Sequence, residues 1–153
     1  MSSADLRTIR VLSKLSDPQL EQLFSYGEFL EFTAGQQIIK QGDKADGIYF
    51  LIKGKAASYF TDKNGAQTPL VTLEEGSHFG ELALFQHGVR TASIRGSTSG
   101  RVFRISLESF EAILKAPELA TPLLYSLAKS MAFRMTSVTE RLADAKSLKN
   151  AWL

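Results

Sequence analysis

The sequence predicts an α+β domain in which an antiparallel, jelly-roll-like β-roll is flanked by N-terminal helices and by a long C-terminal helix. Two observations lead to this fold class. All but one of the 11 glycines fall between positions 35 and 100, where they separate short apolar or alternating runs. Near both ends, apolar residues recur instead at helical spacing. The 153 residues suit one domain, with helices over 1–27, the roll over 28–105 and helices again over 106–153.

Helical spacing at the N-terminus covers residues 2–27. Four apolar residues recur there at three-residue steps: Leu6, Ile9, Leu12 and Leu15. The run SDPQLEQLFSYG then predicts a new helix, because Ser16 or Asp17 can cap it and Pro18 suits a first turn. Both segments are expected to place an apolar face against the roll.

The middle of the chain contains many short apolar or alternating runs, the pattern of short strands. The runs are FLEF, QQIIK, GIYFLIKG, AASYF, TPLVTL, TASIR and RVFRI. The dipeptide Asn64-Gly65 between two of them is a strong hairpin signal. The run ELALFQ after Gly80 breaks the pattern and predicts one or two helical turns. Strands of this length and spacing are typical of an antiparallel roll, sandwich or barrel.

From Ser106 onward the pattern is helical again. Ser106 can cap the run LESFEAILKA, and Pro117 ends that helix and opens the next. Nine residues then step by four and three: Leu124, Ala128, Met131, Met135, Val138, Leu142, Ala145, Lys149 and Trp152. This heptad spacing predicts a long helix that pairs two copies of the chain as a homodimer. The alternative is that its first half packs on its own roll and its last turns fray.

The composition excludes several classes of function. The chain has no cysteine, which excludes disulfides, zinc–thiolate sites and cysteine nucleophiles. A net charge of +2 gives no strong case for nucleic acid, where a clustered basic face is expected. No apolar run is long enough to span a bilayer, and the N-terminus lacks the apolar core of a signal peptide. We therefore expect a cytoplasmic protein with no membrane partner.

The stretch HFGELALFQHGVRTASIR, residues 78–95, combines an acid and an arginine with apolar residues. Gly80 and the short helix after it would present free backbone N–H groups to an anion, and Arg90 could add a forked, charge-assisted pair. A carboxylate beside a phosphate would be repelled, so Glu81 is better suited to accept hydrogen bonds from hydroxyls. Together these groups describe a site for a sugar phosphate or nucleotide. From the residues alone, a Glu81–Arg90 salt bridge that closes a loop is the competing interpretation.

Two motifs in this order resemble a known family. Residues 79–84 read F-G-E-L-A-L and residues 90–92 read R-T-A. Upstream, GQQIIKQGDKADGIYFLIKG matches a strand–turn–strand with its glycines and acids in place. Residues 79–92 resemble the phosphate-binding cassette, and the upstream run resembles the roll, of the cyclic nucleotide-binding domain family, of the type found in the catabolite activator protein and in the regulatory subunit of protein kinase A. The resemblance covers about residues 12–142.

The resemblance implies a cyclic nucleotide as regulatory ligand and a role for each matched residue. Backbone amides around Gly80 and Ala83, with Phe79 and Leu82 beside them, would hold the cyclic phosphate, and Arg90 would pair with its charge. Glu81 would accept the ribose 2′-hydroxyl. The remaining contacts, to the phosphate and the base, are implied for Thr91, Ala92, Leu70, Val71 and, from the long helix, Thr139. Thr91 can bond a guanine amino group but also occurs in members that bind adenine, and we favour cAMP over cGMP.

Other polar residues have simpler interpretations. His78, Glu81 and His87 do not have the spacing of a metal-binding jelly roll, so no metal is expected, and His78 is interpreted as a surface or hydrogen-bonded loop residue. Asp43 and Asp46 are assigned to turn chemistry. The basic residues of the last helix are assigned to a solvated face: Lys129, Arg134, Arg141, Lys146 and Lys149. No catalytic motif occurs, which predicts a binding protein rather than an enzyme.

In transcription regulators of this family a helix-turn-helix domain follows the long helix, whereas this sequence ends at Leu153. We therefore expect no direct DNA binding. The first hypothesis is a sensor that binds a cyclic nucleotide and acts on an unidentified effector protein. The alternatives are an interaction or oligomerisation domain that keeps the fold without the nucleotide, and a truncated DNA-binding regulator.

Overall fold

The computed structural model describes residues 1–86 and 88–151. It contains four α-helices and eight strands within those residues, and the predicted fold class is confirmed. The α-helices are α1 (Asp17–Phe24), α2 (Glu81–Gln86), α3 (Leu107–Ile113) and α4 (Pro117–Ala151). The strands are β1 (Gly27–Phe32), β2 (Gln37–Ile39), β3 (Gly47–Lys53), β4 (Ala56–Thr61), β5 (Gln67–Leu73), β6 (His78–Phe79), β7 (Ser93–Gly96) and β8 (Gly100–Ser106).

The strands form two antiparallel sheets of four. The first sheet has the order β1-β8-β3-β6, and the second has the order β2-β7-β4-β5. The predicted hairpin at Asn64-Gly65 joins β4 to β5. Asp62 accepts hydrogen bonds from the backbone N–H groups of Asn64 and Ala66, and Gly65 takes a φ of 83° that glycine adopts without strain. The turn thus sets the register of the two strands.

The first sheet lies between the helices and the second sheet, which the alternation along β3 makes clear. Ile48 and Phe50 join the apolar cluster formed with the helices, whereas Tyr49 and Leu51 join the cluster between the sheets. Since successive side chains of a strand point to opposite faces, a strand buried on both faces must lie in a middle layer. The site described below is built at the N-terminal end of this strand.

The N-terminal segment is helical, as predicted, but its first part is 3₁₀ rather than α. Two 3₁₀ helices span Ser3–Thr8 and Arg10–Leu12, and Ser16 caps α1. The four apolar residues at three-residue steps are all buried: Leu6, Ile9, Leu12 and Leu15. Leu6 and Leu12 lie in the two 3₁₀ helices, Ile9 is the extended residue between them and Leu15 follows them, and all four join one apolar cluster.

Helix α4 changes character along its length. Ser106 caps α3 and Pro117 opens α4, as predicted. In its first half Leu119, Leu123 and Leu127 are fully buried against the roll and α1. Farther along, Met135 and Leu142 of the predicted seam are 72% and 56% exposed, while Trp152 lies outside the described residues. The first half of α4 therefore packs on its own chain, and the pairing of the second half stays a prediction.

Among the residues that the structure describes, none of the helices combines the length and the apolar character needed to cross a bilayer.

Candidate nucleotide site

The site begins where β6 ends and α2 starts. Gly80 joins them with a φ of +88°, a left-handed conformation that non-glycine residues rarely adopt. A Cβ atom on Gly80 would lie 2.7 Å from Nη1 of Arg90. Glycine at this position therefore serves two purposes, since it makes the sharp turn and leaves space for the guanidinium group.

Arg90 is almost fully buried, with 4% of its side chain exposed. Its Nη1 donates to the carbonyl oxygen of Gly80 at 2.8 Å. Its Nη2 donates to Oδ1 of Asp46 at 2.7 Å and to the carbonyl oxygen of Gly47 at 2.8 Å. The guanidinium also lies over the ring of Tyr49, 5.9 Å from its centroid. A guanidinium has five N–H groups, so these bonds fix its orientation and leave donors for a further acceptor.

Asp46 is a member of the site, and its assignment to turn chemistry alone was wrong. Besides Arg90, its carboxylate accepts from the hydroxyl of Tyr49 at 2.8 Å and from Nη1 of Arg104 at 3.1 Å. Burial on its own raises the pKa of Asp46. The hydrogen bonds from Arg90 and Tyr49, together with the two arginine charges, outweigh it and hold that pKa below its ordinary value. Burial and the hydrogen bond to Asp46 in turn raise the pKa of Tyr49 to about 12.

Glu81 is the other charged group of the cassette, and only 2% of its side chain is exposed. Its partner is not Arg90 but Arg134 of α4, whose Nη1 donates to Oε1 of Glu81. The alternative of a Glu81–Arg90 salt bridge is therefore wrong. The two opposite charges lie at the two ends of the cassette and each has its own partner.

Arg134 was assigned to the solvated face of α4, and this too needs correction. It is half-exposed, at 46%, but its guanidinium turns towards the roll. Besides its bond to Glu81, its Nη2 lies 3.2 Å from Nε2 of His78 and 3.2 Å from the backbone oxygen of His78. Of the five basic residues assigned to that face, the other four are exposed. One arginine thus links α4 to the cassette.

His78 is a buried strand residue rather than a surface loop residue. It belongs to β6, is 5% exposed, and its Nε2 lies 3.6 Å from Oε1 of Glu81. Burial, followed by the positive charges of Arg134 and Arg10, lowers the pKa of His78 to about 4. The imidazole is therefore neutral at physiological pH.

The other predicted ligand residues differ in their exposure to solvent. Phe79 is buried and its ring stacks on Tyr49, with centroids 5.3 Å apart, so its side chain belongs to the core. Ala83 is buried, Ala92 is half-buried and Thr91 is exposed. Three apolar side chains are about half-exposed: Leu70, Val71 and Leu82. Their contacts with a ligand stay predictions.

Thr139 of α4 is exposed, and its hydroxyl donates to the carbonyl oxygen of Met135 one turn earlier at 2.9 Å. This bond lies within the helix, so the hydroxyl can exchange it for another acceptor without breaking the backbone ladder. The predicted contact of Thr139 with a base is not tested by this arrangement.

His87, which entered the metal interpretation with His78 and Glu81, lies outside the described residues. Over residues 1–86 and 88–151, no three or more histidine or acidic side chains come together in a way that could hold a metal ion.

Comparison with known proteins places the chain in a family. The family model described as the cyclic nucleotide-binding domain matches residues 29–116. The cAMP-activated global transcriptional regulator CRP of Salmonella typhimurium is 30% identical over 130 residues, which cover 84% of this chain and 60% of that protein. A cGMP-dependent protein kinase of Plasmodium berghei is 34% identical over 112 residues, which cover 73% of this chain and 12% of the kinase.

Among solved structures, the catabolite activator protein of Thermus thermophilus superposes with a TM-score of 0.76 at 25% identity. The superposition covers 86% of this chain and 61% of that one. The chain thus spans about 60% of the length of the CRP relative that it matches. Because the family model matches more than half of the chain, this protein belongs to the cyclic nucleotide-binding domain family.

Proposed function

We propose that this chain, as a single domain over residues 1–153, is a non-catalytic sensor that binds a cyclic nucleotide monophosphate between Arg90 and Glu81. One observation carries the proposal. Two buried groups of opposite charge lie at the two ends of one cassette, and neither neutralises the other. A small ligand that carries both an anion and a hydroxyl would match this pair of groups.

Arg90 is suited to the cyclic phosphate because it is oriented before the ligand arrives. Asp46 and two backbone carbonyls hold its guanidinium in place, so little side-chain entropy is lost on binding. The phosphodiester anion would take the donors that remain. In this proposal Gly80, Leu82 and Ala83 supply the backbone around the phosphate, with Phe79 as a core anchor.

Glu81 is suited to the ribose. Arg134 engages Oε1, and a carboxylate can accept hydrogen bonds at both of its oxygens. The ribose 2′-hydroxyl would donate to the second oxygen while Arg134 stays in place. Binding would then favour the arrangement in which α4 is held against the cassette, which is how differential affinity shifts a conformational equilibrium.

For the base, we propose cAMP in preference to cGMP. Leu70 and Val71 on β5 offer half-exposed apolar surface to a purine, and Ala92 is proposed as a further contact. In this proposal the hydroxyls of Thr91 and Thr139 read the edge of the base, the second one from the chain itself or from a second copy. One relative is named for cAMP and another for cGMP. The preference of this chain is therefore tested by competition between the two nucleotides.

The signal would leave the domain through α4. We propose that its exposed second half forms a homodimer seam and that the position of α4 is read by an effector protein in the cytoplasm, without direct contact with DNA. One observation favours a second candidate, an interaction domain that does not bind the nucleotide. Glu81 already has a charged partner in this structure, and that ion pair would serve a purely structural role equally well.

Calorimetric titration distinguishes the two candidates. Wild type is titrated with cAMP, cGMP and 2′-deoxy-cAMP, and the same ligands are titrated into the Glu81→Gln variant. Loss of the 2′-hydroxyl should weaken binding to wild type by about 1.5–3 kcal/mol, the range for a hydrogen bond to a charged group, and by much less in the variant.

The Glu31→Gln variant is the matched control, since Glu31 also pairs with an arginine but is 75% exposed and belongs to β1. It should discriminate between the two adenine nucleotides as wild type does. Absence of binding by any cyclic nucleotide would overturn the proposed function and leave the interaction domain. Equal discrimination by wild type and Glu81→Gln would remove Glu81 from the ribose contact.

A further inference from the structure

His78 is a buried polar group of the site region for which the proposed nucleotide contacts provide no role. It lies in β6, two residues before Gly80, and pairs across the sheet with Phe50 of β3. Its ring is buried, and its Nε2 contacts Nη2 of Arg134. A buried imidazole at this place must have its polar atoms accounted for.

The contact between His78 and Arg134 determines the state of the ring. A guanidinium only donates hydrogen bonds. In the 3.2 Å contact with Arg134 Nη2, Nε2 of His78 must therefore be the acceptor, and the proton of the neutral ring lies on Nδ1. Arg134 is thus held by Glu81 and by the ring and backbone oxygen of His78.

Three charged groups face the imidazole from the elements packed around it. Arg134 comes from α4 and Glu81 from α2. Arg10 comes from the second 3₁₀ helix, where its guanidinium donates to Ser77 beside His78 at 3.1 Å. Two of the three are positive, which fits the pKa of about 4 that burial and these arginines give His78.

We propose that His78 is a positioning residue for α4: its neutral ring accepts from Arg134 and holds the helix on the cassette, and protonation of the ring releases it. A protonated ring has no lone pair for Arg134. It also carries a charge that repels Arg134 and that can take over Glu81 as its own partner, because Nε2 is already 3.6 Å from Oε1. Both effects favour the same outcome, departure of Arg134 from the cassette.

The position of α4 becomes sensitive to pH in this way even without a nucleotide. Release of Arg134 removes a positive charge and part of the cover from His78, so its pKa moves back towards 6.5. Acid therefore favours the released state between pH 6.5 and pH 4. If the ordinary value were fully restored, the ratio of released to held protein at pH 5 would rise by up to about 30-fold relative to pH 8.

The ligand-free protein allows a test that does not depend on nucleotide binding. The chain has no cysteine, so spin labels can be attached at two introduced ones, Lys63→Cys in the β4–β5 hairpin and Glu140→Cys on α4, both exposed positions. Labelled protein is diluted with unlabelled protein so that only distances within one chain are measured. Distance distributions are recorded from pH 8 to pH 4.5, and circular dichroism at each pH verifies that the fold is intact.

We expect one narrow distribution at pH 8 and a second, displaced or broad one that grows below pH 6.5. The His78→Gln variant keeps a side-chain acceptor for Arg134 but cannot be protonated, so it should keep the narrow distribution throughout. His87→Gln, which changes the other histidine of the chain, should behave as wild type. An unchanged wild-type distribution over this pH range would overturn the proposal, and so would the same transition in His78→Gln.

The consequence for the ligand rests on the proposed function and is measured separately. If α4 must be held for tight binding, the affinity for cAMP should fall as the pH is lowered from 7.5 to 5 in wild type and stay constant in His78→Gln. Absence of cAMP binding at pH 7.5 would count against the proposed function while leaving the distance result intact. A pH-dependent distance with a pH-independent affinity would overturn the link between the two.

Discussion

Arg90 and Arg101 provide a direct comparison of a buried with an exposed ion pair in one molecule. Both donate from Nη2 to a carboxylate oxygen at 2.7 Å, Arg90 to Asp46 and Arg101 to Glu31. The arginine side chains are 4% and 31% exposed, respectively. We predict that Arg90→Ala destabilises the fold by about 2–4 kcal/mol and that Arg101→Ala costs at most about 1 kcal/mol.

The larger value follows from what Arg90 leaves behind. Its removal deprives the carbonyl oxygens of Gly47 and Gly80 of a donor, and an unsatisfied buried acceptor costs about 1–3 kcal/mol. Asp46 contributes less to the loss, because it is half-exposed and keeps Tyr49 and Arg104 as partners.

The smaller value for Arg101 has two causes. Its partner Glu31 is 75% exposed, and ion pairs in such surroundings contribute little. In the described structure Nε of Arg101 is also buried without a hydrogen-bond partner, so truncation relieves a desolvated donor and offsets part of the loss.

Urea unfolding followed by far-UV circular dichroism measures both variants, and equal m-values would show that the unfolded states are comparable. Arg90→Lys is a useful third protein, since an ammonium group cannot reproduce the forked donors and should recover only part of the stability. Equal losses for Arg90→Ala and Arg101→Ala would refute the assignment of Arg90 as a structural anchor. Because Arg90 variants are expected to be less stable, their nucleotide affinities must be measured on the folded fraction.

Three further predictions concern the turn, the buried histidine and the seam. Gly80→Ala should lower the free energy of unfolding by about 1–3 kcal/mol, because the backbone at this position is left-handed and the new Cβ would meet Arg90; an unchanged free energy of unfolding would contradict the described turn. Lowering the pH from 6.5 to 4 should reduce the unfolding free energy by up to about 3 kcal/mol through His78, since its pKa is about 4 with Arg134 in place and 6.5 when unfolded; His78→Gln should lack this contribution and keep only the loss from carboxylates such as Asp46. Leu142→Asp should dissociate a dimer seen by sedimentation at micromolar concentration; a wild-type monomer there would rule out the seam.

Much of the fold was predictable because local signals and tertiary packing agree. The three-residue steps of Leu6, Ile9 and Leu12 indicated a helix, although not that it would be 3₁₀. The hairpin predicted from Asn64-Gly65 is present. Ser16 and Ser106 cap the two helices whose starts they predicted. Each of these signals acts within a few residues of its effect, so no knowledge of the fold is needed to interpret it.

The missed site residues depend on contacts between distant parts of the chain. Asp46 lies in a glycine-rich turn, where acids commonly bond to their own backbone, and its partner Arg90 is 44 residues away. Arg134 lies among exposed basic residues and reaches Glu81 across 53 residues. One signal was available for Arg134: it precedes Val138 by four residues, which puts it on the helix face of a member of the predicted seam rather than on the opposite face.

The two charges of the cassette are anchored to parts of the molecule that differ in how easily they can move. Arg90 is tied to Asp46 and Gly47 at the start of β3, a strand buried on both faces. Glu81 is tied to Arg134, beyond the part of α4 that is buried against the roll. On the proposed function, the phosphate would therefore meet a rigid group, and the ribose a group whose partner can leave. Affinity would then come chiefly from the Arg90 end and transmission to α4 from the Glu81 end, so Arg134→Ala should uncouple helix position from the nucleotide while Arg90 still binds the phosphate.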